Sequence, residues 1–418
     1  MSLPSLLPSS LPRRDVLAGA MGTLGAVVAA GCTSAGIRHP SALPVPSTPA
    51  TPVTSPSPDA PPAVGTLERV RRMHCPSTPT GIAWSPTGRL FVFMPRFDAA
   101  TPFTVGEVDA EGRVSPYPDA ATHRPDARRP GATLVHVPNG VFDAAGRLWL
   151  LDAGLPSGSS PPLAGAAKLV CIDIATDRVL RVIPLDAVVV ATSSLNDLRV
   201  RAGGRGREVA YVTDQGQDGQ GALIAVDLAS GRAVRRLGAH RSTASVEGIL
   251  KIVEGRPVER VDASGRRSPV KGGANGIALS HDGRTLYYAP LMGRNLYAVD
   301  ALALLDAPGD AAVAATVRDL GEKGMTGGLA CDDRDRVYLA LQEFDAIGRR
   351  HPDGRIEILA RDPRLSWPDT FHLASDGWLY CNAAQVQRRA EYHGGEDRQR
   401  PPYDLFRIRV DAGPAAVG

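Results

Sequence analysis

Five cysteines in 418 residues are too few to build a disulfide framework. Cys171, Cys331 and Cys381 lie inside apolar, strand-like runs and read as core residues. Cys75 is open between free and paired, and Cys32 belongs to an N-terminal signal. Charge of one sign is never concentrated: 47 Lys and Arg are interspersed with 44 Asp and Glu. That leaves no basic patch for nucleic acid and no acidic tail. After residue 40 no run is apolar for long enough to span a bilayer. Amphipathic helices longer than about two turns are also missing beyond the N-terminus. The histidines are scattered, with no i,i+4 pair and no zinc spacing, and no GxSxG motif offers a serine nucleophile. What the chain has in plenty is glycine and proline, 44 and 36 residues. That composition suits many tight turns plus a stretch that packs no core.

The N-terminus reads as an address. Arg13-Arg14 precedes an apolar run from Val16 to Ala30. This run is short for a membrane span and fits a signal-peptide core. RRDVLAG resembles the twin-arginine export signature, with Val16 where Phe is frequent. The resemblance implies passage through the twin-arginine export machinery in a folded state. Val28-Ala29-Ala30-Gly31-Cys32 resembles a lipoprotein cleavage box, with Ala29 in the usual place of Leu; Cys32 would then carry lipid and hold the protein to the membrane. A plain signal peptide and a retained anchor remain the alternatives. Residues 1–32 are thus read as a signal and 33–66 as a Ser/Thr/Pro-rich disordered tether. Residues 67–418 are the folded domain. The expected location is outside the cytoplasm: the cell envelope on its periplasmic or extracellular side, lipid-anchored, or secreted.

The folded part repeats itself. A hairpin signal recurs as GIAWSPTGRLFVF (81–93), GVFDAAGRLWLLD (140–152) and, more loosely, DLRVRAGGRGREVAYVTD (197–214). It returns as GIALSHDGRTLYYAP (276–290), GLACDDRDRVYLAL (328–341) and FHLASDGWLYCN (371–382). Gly or Asp at the turn supplies dihedrals that other residues resist. Each copy precedes a second strand pair, for example KLVCIDIATDRVLRVI, LYAVDALALLDA or AIGRRHPDGRIEILA. Six four-stranded units predict an all-β, six-bladed β-propeller. The sixth unit is a strand short, and the segment Leu67–Met73 is the candidate to close the ring. The longest interval holds SVEGILKIVEGRPVERVDASGRRSP (245–269), an inserted lid or extra hairpin.

Longer motifs carry a resemblance. GRLWLLDAG (146–154), SSLNDLRV (193–200), AYVTDQG (210–216), DPRLSWPDT (362–370) and GGEDRQRPPYDLFRI (394–408) resemble the major royal jelly / yellow family from about Val70 to Val410. The resemblance implies a six-bladed propeller. It also implies secretion and a small-molecule ligand in the central channel. Insect members are linked to catechol and indole conversion or to amine binding, and no reaction follows from the fold alone.

In a propeller the residue before each innermost strand faces the channel. Here these are Thr80, Asn139, Asn196, Asn275, Gly327 and Asp369. Asn and Asp offer oxygen to a polar ligand or to a hard cation such as Ca²⁺. Asn-Gly is also the commonest tight-turn dipeptide, so Asn139-Gly140 and Asn275-Gly276 are open between turn and channel. Asp152 and Asp214, each in Asp-x-Gly, read as turn formers. Trp367, beside Pro368-Asp369, is the candidate ring on the channel wall. The Asn-Gly motifs are also similar to gluconolactonase-type lactonases, which hold a divalent cation through Glu, Asn and Asp. That similarity implies a metal set of Asn139, Asn196, Asn275 and Asp369. Thr80 and Gly327 stand where the lactonases have Glu and Asp, a loss of anionic ligands that weakens a Ca²⁺ site. Two functions stand side by side: a small-molecule-binding propeller, and a cation-dependent lactone hydrolase.

Overall fold

The computed structural model describes residues 62–415, apart from 125, 127, 159 and 202–206. Arg13, Arg14, Cys32 and most of the tether lie outside the described residues.

Six four-stranded antiparallel sheets follow one another along the chain. The innermost strand of each is Gly81–Trp84, Asn139–Phe142, Leu195–Arg201, Ala274–Leu279, Thr326–Cys331 and Pro368–Leu373. Each packs beside the next around a ring, and the sixth meets the first. We call the sheets blades one to six in that order. Blade six takes its outermost strand, Leu67–Met73, from the start of the domain, with Leu67 opposite Ile408 and Met73 opposite Tyr403. Closure therefore depends on main-chain hydrogen bonds between residues more than 300 positions apart, a ring without a free joint.

The period-2 alternation of these strands presents apolar side chains on both faces of each blade. Packing is between blades. Trp149 and Leu169 of blade two meet Leu198 and Val212 of blade three. Tyr338 and Leu359 of blade five meet Phe371 and Phe406 of blade six. Met73 and Leu405 meet Ile82 and Val92 across the closure. Cys75, Cys171, Cys331 and Cys381 are all free and buried in these layers.

One segment departs from its strand pattern. LYAVDALALLDA forms the strand Asn295–Asp300 and then turns helical over Ala301–Asp306 and again over Asp310–Ala314. Asp300 is the reason: its Oδ1 accepts the backbone N–H of Leu302 at 2.9 Å and of Ala303 at 3.0 Å. That cap favours helix over further extension. Leu304 and Leu305 then bury against Leu286 and Val299. Among the described residues no helix is long and apolar enough to cross a membrane.

The insertion between blades three and four makes two small hairpins. Ile252–Val253 pairs with Arg256–Pro257, and Glu259–Val261 with Arg267–Pro269. Glu254 fastens the first hairpin to blade six by accepting from Ser366 Oγ and Gln387 Nε2, both at 3.0 Å.

Candidate functional site

The Asn-Gly pairs are strand, not turn. Asn139 and Gly140 open the strand Asn139–Phe142, and Asn275 and Gly276 lie inside Ala274–Leu279. Glycine is required there because innermost strands converge at the axis. A Cβ on Gly140 would sit 2.6 Å from the Phe93 ring, and one on Gly81 2.6 Å from Asn139 Oδ1. With the main chains this close, the preceding side chains face inward together.

Thr80, Asn139, Asn196, Asn275, Trp367 and Asp369 all line one cavity of about 410 Å³ at the end of the axis where the innermost strands begin. The second inserted hairpin walls one side through Arg260 and Ser268, continued by Pro269 to Lys271. Of the two expectations for this insertion, lid or extra hairpin, it forms hairpins.

Each residue has a distinct part. Thr80 ties blades together: its hydroxyl donates to the Pro138 carbonyl at 2.9 Å, and its own carbonyl accepts from Thr370 Oγ1 at 2.8 Å. Asn139 is buried, with Oδ1 accepting the Gly140 N–H at 2.8 Å and Nδ2 donating to Asp197 Oδ1. Asn275 Nδ2 donates to Gln215 Oε1 at 3.0 Å. Asn196 is half-buried on the cavity wall. Trp367 lies in the left-handed region, φ 57°, a conformation that bulky residues rarely adopt. Packing against Met292, Met325 and Ala384 holds it there.

Asp197 and Gln342 are central to the site, and neither is in the predicted set. A register shift between Leu195 and Asp197 bulges the third blade's inner strand. A bulge places consecutive residues toward one side, so Asn196 and Asp197 both reach the cavity. Asp197 accepts from Asn139, from the Leu198 N–H at 2.7 Å and from Arg199 Nη1 at 2.8 Å. Burial pushes its carboxyl above the usual range, and Arg199 opposes that shift.

Gln342, just past the second strand of blade five, is almost fully buried. Its Oε1 accepts from the ammonium of Lys251, a buried residue at the base of the first inserted hairpin. That ammonium also lies 4.7 Å from the Trp367 ring centroid. Burial pushes Lys251 down to about 7. With Oε1 accepting from Lys251 Nζ, the amide must turn Nε2 the other way, and Nε2 has no partner among the described residues. A Cβ built on Gly327 would lie 2.5 Å from Gln342 Nε2 and 2.7 Å from Asp369 Oδ1. The bare glycine thus leaves room for a donor and a carboxyl that converge above it. Burial, then the charge of Asp197, push the Asp369 carboxyl well up, and Lys251 counteracts.

The remaining wall is aromatic and charged, with Glu391 paired to Arg389 at 3.0 Å. Phe97, His136 and Tyr392 line it, and Arg389 stacks 3.6 Å over the Phe97 ring. Burial pushes His136 down to about 4, so its ring stays neutral. Asp152 and Asp214 lie behind this mouth. Each accepts the N–H of the glycine two residues on, as turn formers do, and each also pairs with a cation, Lys168 and Arg235, both at 2.7 Å.

As a cation site the set is thin. Both polar atoms of Asn139 are occupied, and the charge of Asp197 is balanced by Arg199. Asp369, acted on by Lys251, is left as the carboxyl that shares the cavity wall with Asn196 and Asn275 without an ion-pair partner among the described residues. Among the described residues no three His, Cys, Asp or Glu side chains group closely enough to hold a metal ion.

A family model described as "Major royal jelly protein" matches residues 140–388. Major royal jelly protein 3 of Apis mellifera is 29% identical over 165 residues, a stretch that covers 38% of this chain and 27% of that protein's length. Among solved structures, a luciferin-regenerating enzyme superposes with a TM-score of 0.50 at 13% identity, over 84% of this chain and 98% of that one. A gluconolactonase from Xanthomonas campestris superposes with a TM-score of 0.49 at 14% identity, over 83% of this chain and 90% of that one.

Proposed function

The chain belongs to the major royal jelly protein family, and from that premise we propose that it is an exported propeller whose axial cavity binds a small molecule with a flat apolar body and a hydroxyl or carbonyl oxygen. The observation that carries this reading is the convergence of Gln342 Nε2 and Asp369 Oδ1 above Gly327, at the bottom of a cavity lined by Trp367 and the Asn set. A ligand oxygen placed there accepts from the unpartnered amide N–H and meets the carboxyl of Asp369. A buried donor without an acceptor costs about 1–3 kcal/mol, which a ligand can return. A volume of about 410 Å³ falls in the range of small-molecule sites.

Thermal unfolding of the domain in the presence of catechol, tryptamine or δ-gluconolactone tests this. At least one should raise the midpoint. Gln342→Leu should weaken that ligand by roughly tenfold, and Trp367→Ala by at least as much. If no compound shifts the midpoint, or if Gln342→Leu binds as the parent does, the reading fails. Export and tethering belong to the same proposal. Cys32→Ser should release the protein from membranes, and Arg13→Lys with Arg14→Lys should retain it inside.

The second reading, a cation-dependent lactonase, is favoured by one observation. Asp369 Oδ1 fills the space that a side chain on Gly327 would occupy, so a carboxyl from the next blade stands in for a lost acidic ligand. One carboxyl gives little charge, and Ca²⁺ should bind no tighter than about 1 mM. Calorimetry with CaCl₂ checks that value. Lactone hydrolysis abolished by a chelator and by Asn275→Ala would put this reading first.

A further inference from the structure

The innermost strands open at their far end onto another cavity, of about 540 Å³. Thr370 lines both cavities, and an ion pair of blade three reaches from one to the other. Asp197 lines the first cavity and Arg199 lines the second. Residues two apart on a strand share a face, so both side chains project toward the axis, one step apart along it. Their 2.8 Å contact joins a residue of one lining to a residue of the other.

Arg199 is well buried and only partly engaged. Nη1 donates to Asp197 and to the Leu198 carbonyl, and Nη2 donates to the Leu329 carbonyl, both carbonyl contacts at 2.6 Å. Among the described residues no acceptor takes its Nε–H or the second Nη2–H. Beside it on the cavity wall is His372, half-buried in the innermost strand of blade six. Its Nδ1 accepts the Trp84 N–H at 3.4 Å, so a neutral ring carries its proton on Nε2. Burial pushes the imidazole down to about 4, which keeps it neutral near pH 7. No described residue accepts from that Nε2. The same wall carries an aromatic shelf, with the Trp84 and Tyr380 rings 5.0 Å apart, Tyr380 6.3 Å from the His372 ring, and Phe371 and Phe142 nearby in the lining. Two acids lie in the wall: Asp143 is engaged by Arg147 and by the Trp149 indole N–H, and Asp376, exposed at the rim, accepts the Trp378 N–H at 3.3 Å.

We propose that this far cavity is a second binding site, independent of the first, for a small flat aromatic carboxylate whose oxygens accept from Arg199 and His372 and whose ring lies against Trp84 and Tyr380. Guanidinium N–H pairs match the two oxygens of a carboxylate, and charge-assisted bonds of this kind are stronger than neutral ones. The aromatic shelf supplies stacking for the ring.

Benzoate titrated into the folded domain tests the site, read by calorimetry and by NMR of the histidine and indole resonances. Benzoate should move the His372 ring and Trp84 indole signals and leave the Trp367 indole where it is. Benzamide, of the same shape without the charge, should bind at least tenfold more weakly. His372→Phe should weaken benzoate about tenfold, and His372→Gln, which keeps a side-chain N–H, should recover most of the loss. Circular dichroism and the unfolding midpoint establish that both variants fold. Equal binding of benzamide overturns the anionic ligand class. Shifts confined to Trp367, or unchanged affinity in a folded His372→Phe protein, overturn the site. Either failure leaves the first cavity untouched, because its ligands report through Trp367.

Discussion

Arg199→Met is expected to destabilise the domain by about 3–5 kcal/mol, the range for breaking a buried ion pair from one side. Asp197 is buried at the axis and Arg199 is its cationic partner there. The substitution strands that carboxylate and also frees the carbonyls of Leu198 and Leu329, which lose their donor. Arg199→Lys should lie between, because an ammonium keeps the charge and loses the planar fork. The double variant Asp197→Asn with Arg199→Met should recover much of the loss, since no unpaired charge remains. The pH dependence has a definite sign. A carboxyl whose folded pKa is held above its unfolded value stabilises most when protonated, and that contribution is lost as pH rises through the folded value. Asp197 is already shifted upward by burial, and removing Arg199 shifts it further. The deficit of Arg199→Met should therefore shrink as the pH is lowered from 7. Urea unfolding of the parent and three variants measures all of this. A double variant no more stable than Arg199→Met, or a deficit that grows in acid, would contradict the account.

The architecture was legible because it repeats. One hairpin signal sets the blade, and six copies set the ring. Even the closing strand at Leu67–Met73 followed from a missing partner in the last repeat. The same alignment found Thr80, Asn139, Asn196, Asn275 and Asp369, since equivalent positions of a repeat occupy equivalent places around an axis. What the repeat could not show is what breaks it. The inner strands of blades three to six all carry a register shift, but the residue after the channel position is Gly276, Gly328 or Thr370 in the other three, and only blade three puts a carboxylate, Asp197, there. Gln342 follows a second strand, and its importance comes from Lys251 in an insertion that no other blade has. The sequence leaves Asn139-Gly140 open between turn and channel, because isolated Asn-Gly dipeptides favour turns. Only the crowding of six strands at one axis makes the glycine a matter of space. The helix at Ala301–Asp306 was likewise hidden, because a single capping Asp300 reverses an apolar run that otherwise reads as strand.

Gly276→Ala and Gly327→Ala should separate the packing of the ring from the chemistry of its cavity. A Cβ on Gly276 would overlap the Gly327 carbonyl oxygen and touch Leu329 Cγ at 3.0 Å. Both belong to the next blade, and one is main chain, so relief requires blades four and five to part. The expected cost is about 3 kcal/mol, the upper end for overpacking. Gly327 is different, although it too begins an innermost strand. Its Cβ would meet Gln342 Nε2 and Asp369 Oδ1, the ends of two side chains, and the nearest main-chain atom is the Pro368 carbonyl oxygen at 3.3 Å. Side-chain ends can swing aside, so stability should fall by only about 1 kcal/mol. The donor and the carboxyl would then no longer converge, and the axial ligand should be lost. Thermal unfolding with and without the ligand reads both effects. Gly276→Ala should lower the midpoint and keep a ligand-induced rise, while Gly327→Ala should keep most of the midpoint and lose the rise. A Gly327→Ala protein that still responds to ligand would mean that Gln342 and Asp369 do not form the floor of the site. The two positions are offset by one residue in the repeat: Gly327 stands where blade four has Asn275, and Gly328 where it has Gly276. Blade five can lack a polar side chain at the channel position because its own Gln342 and the next blade's Asp369 occupy that space.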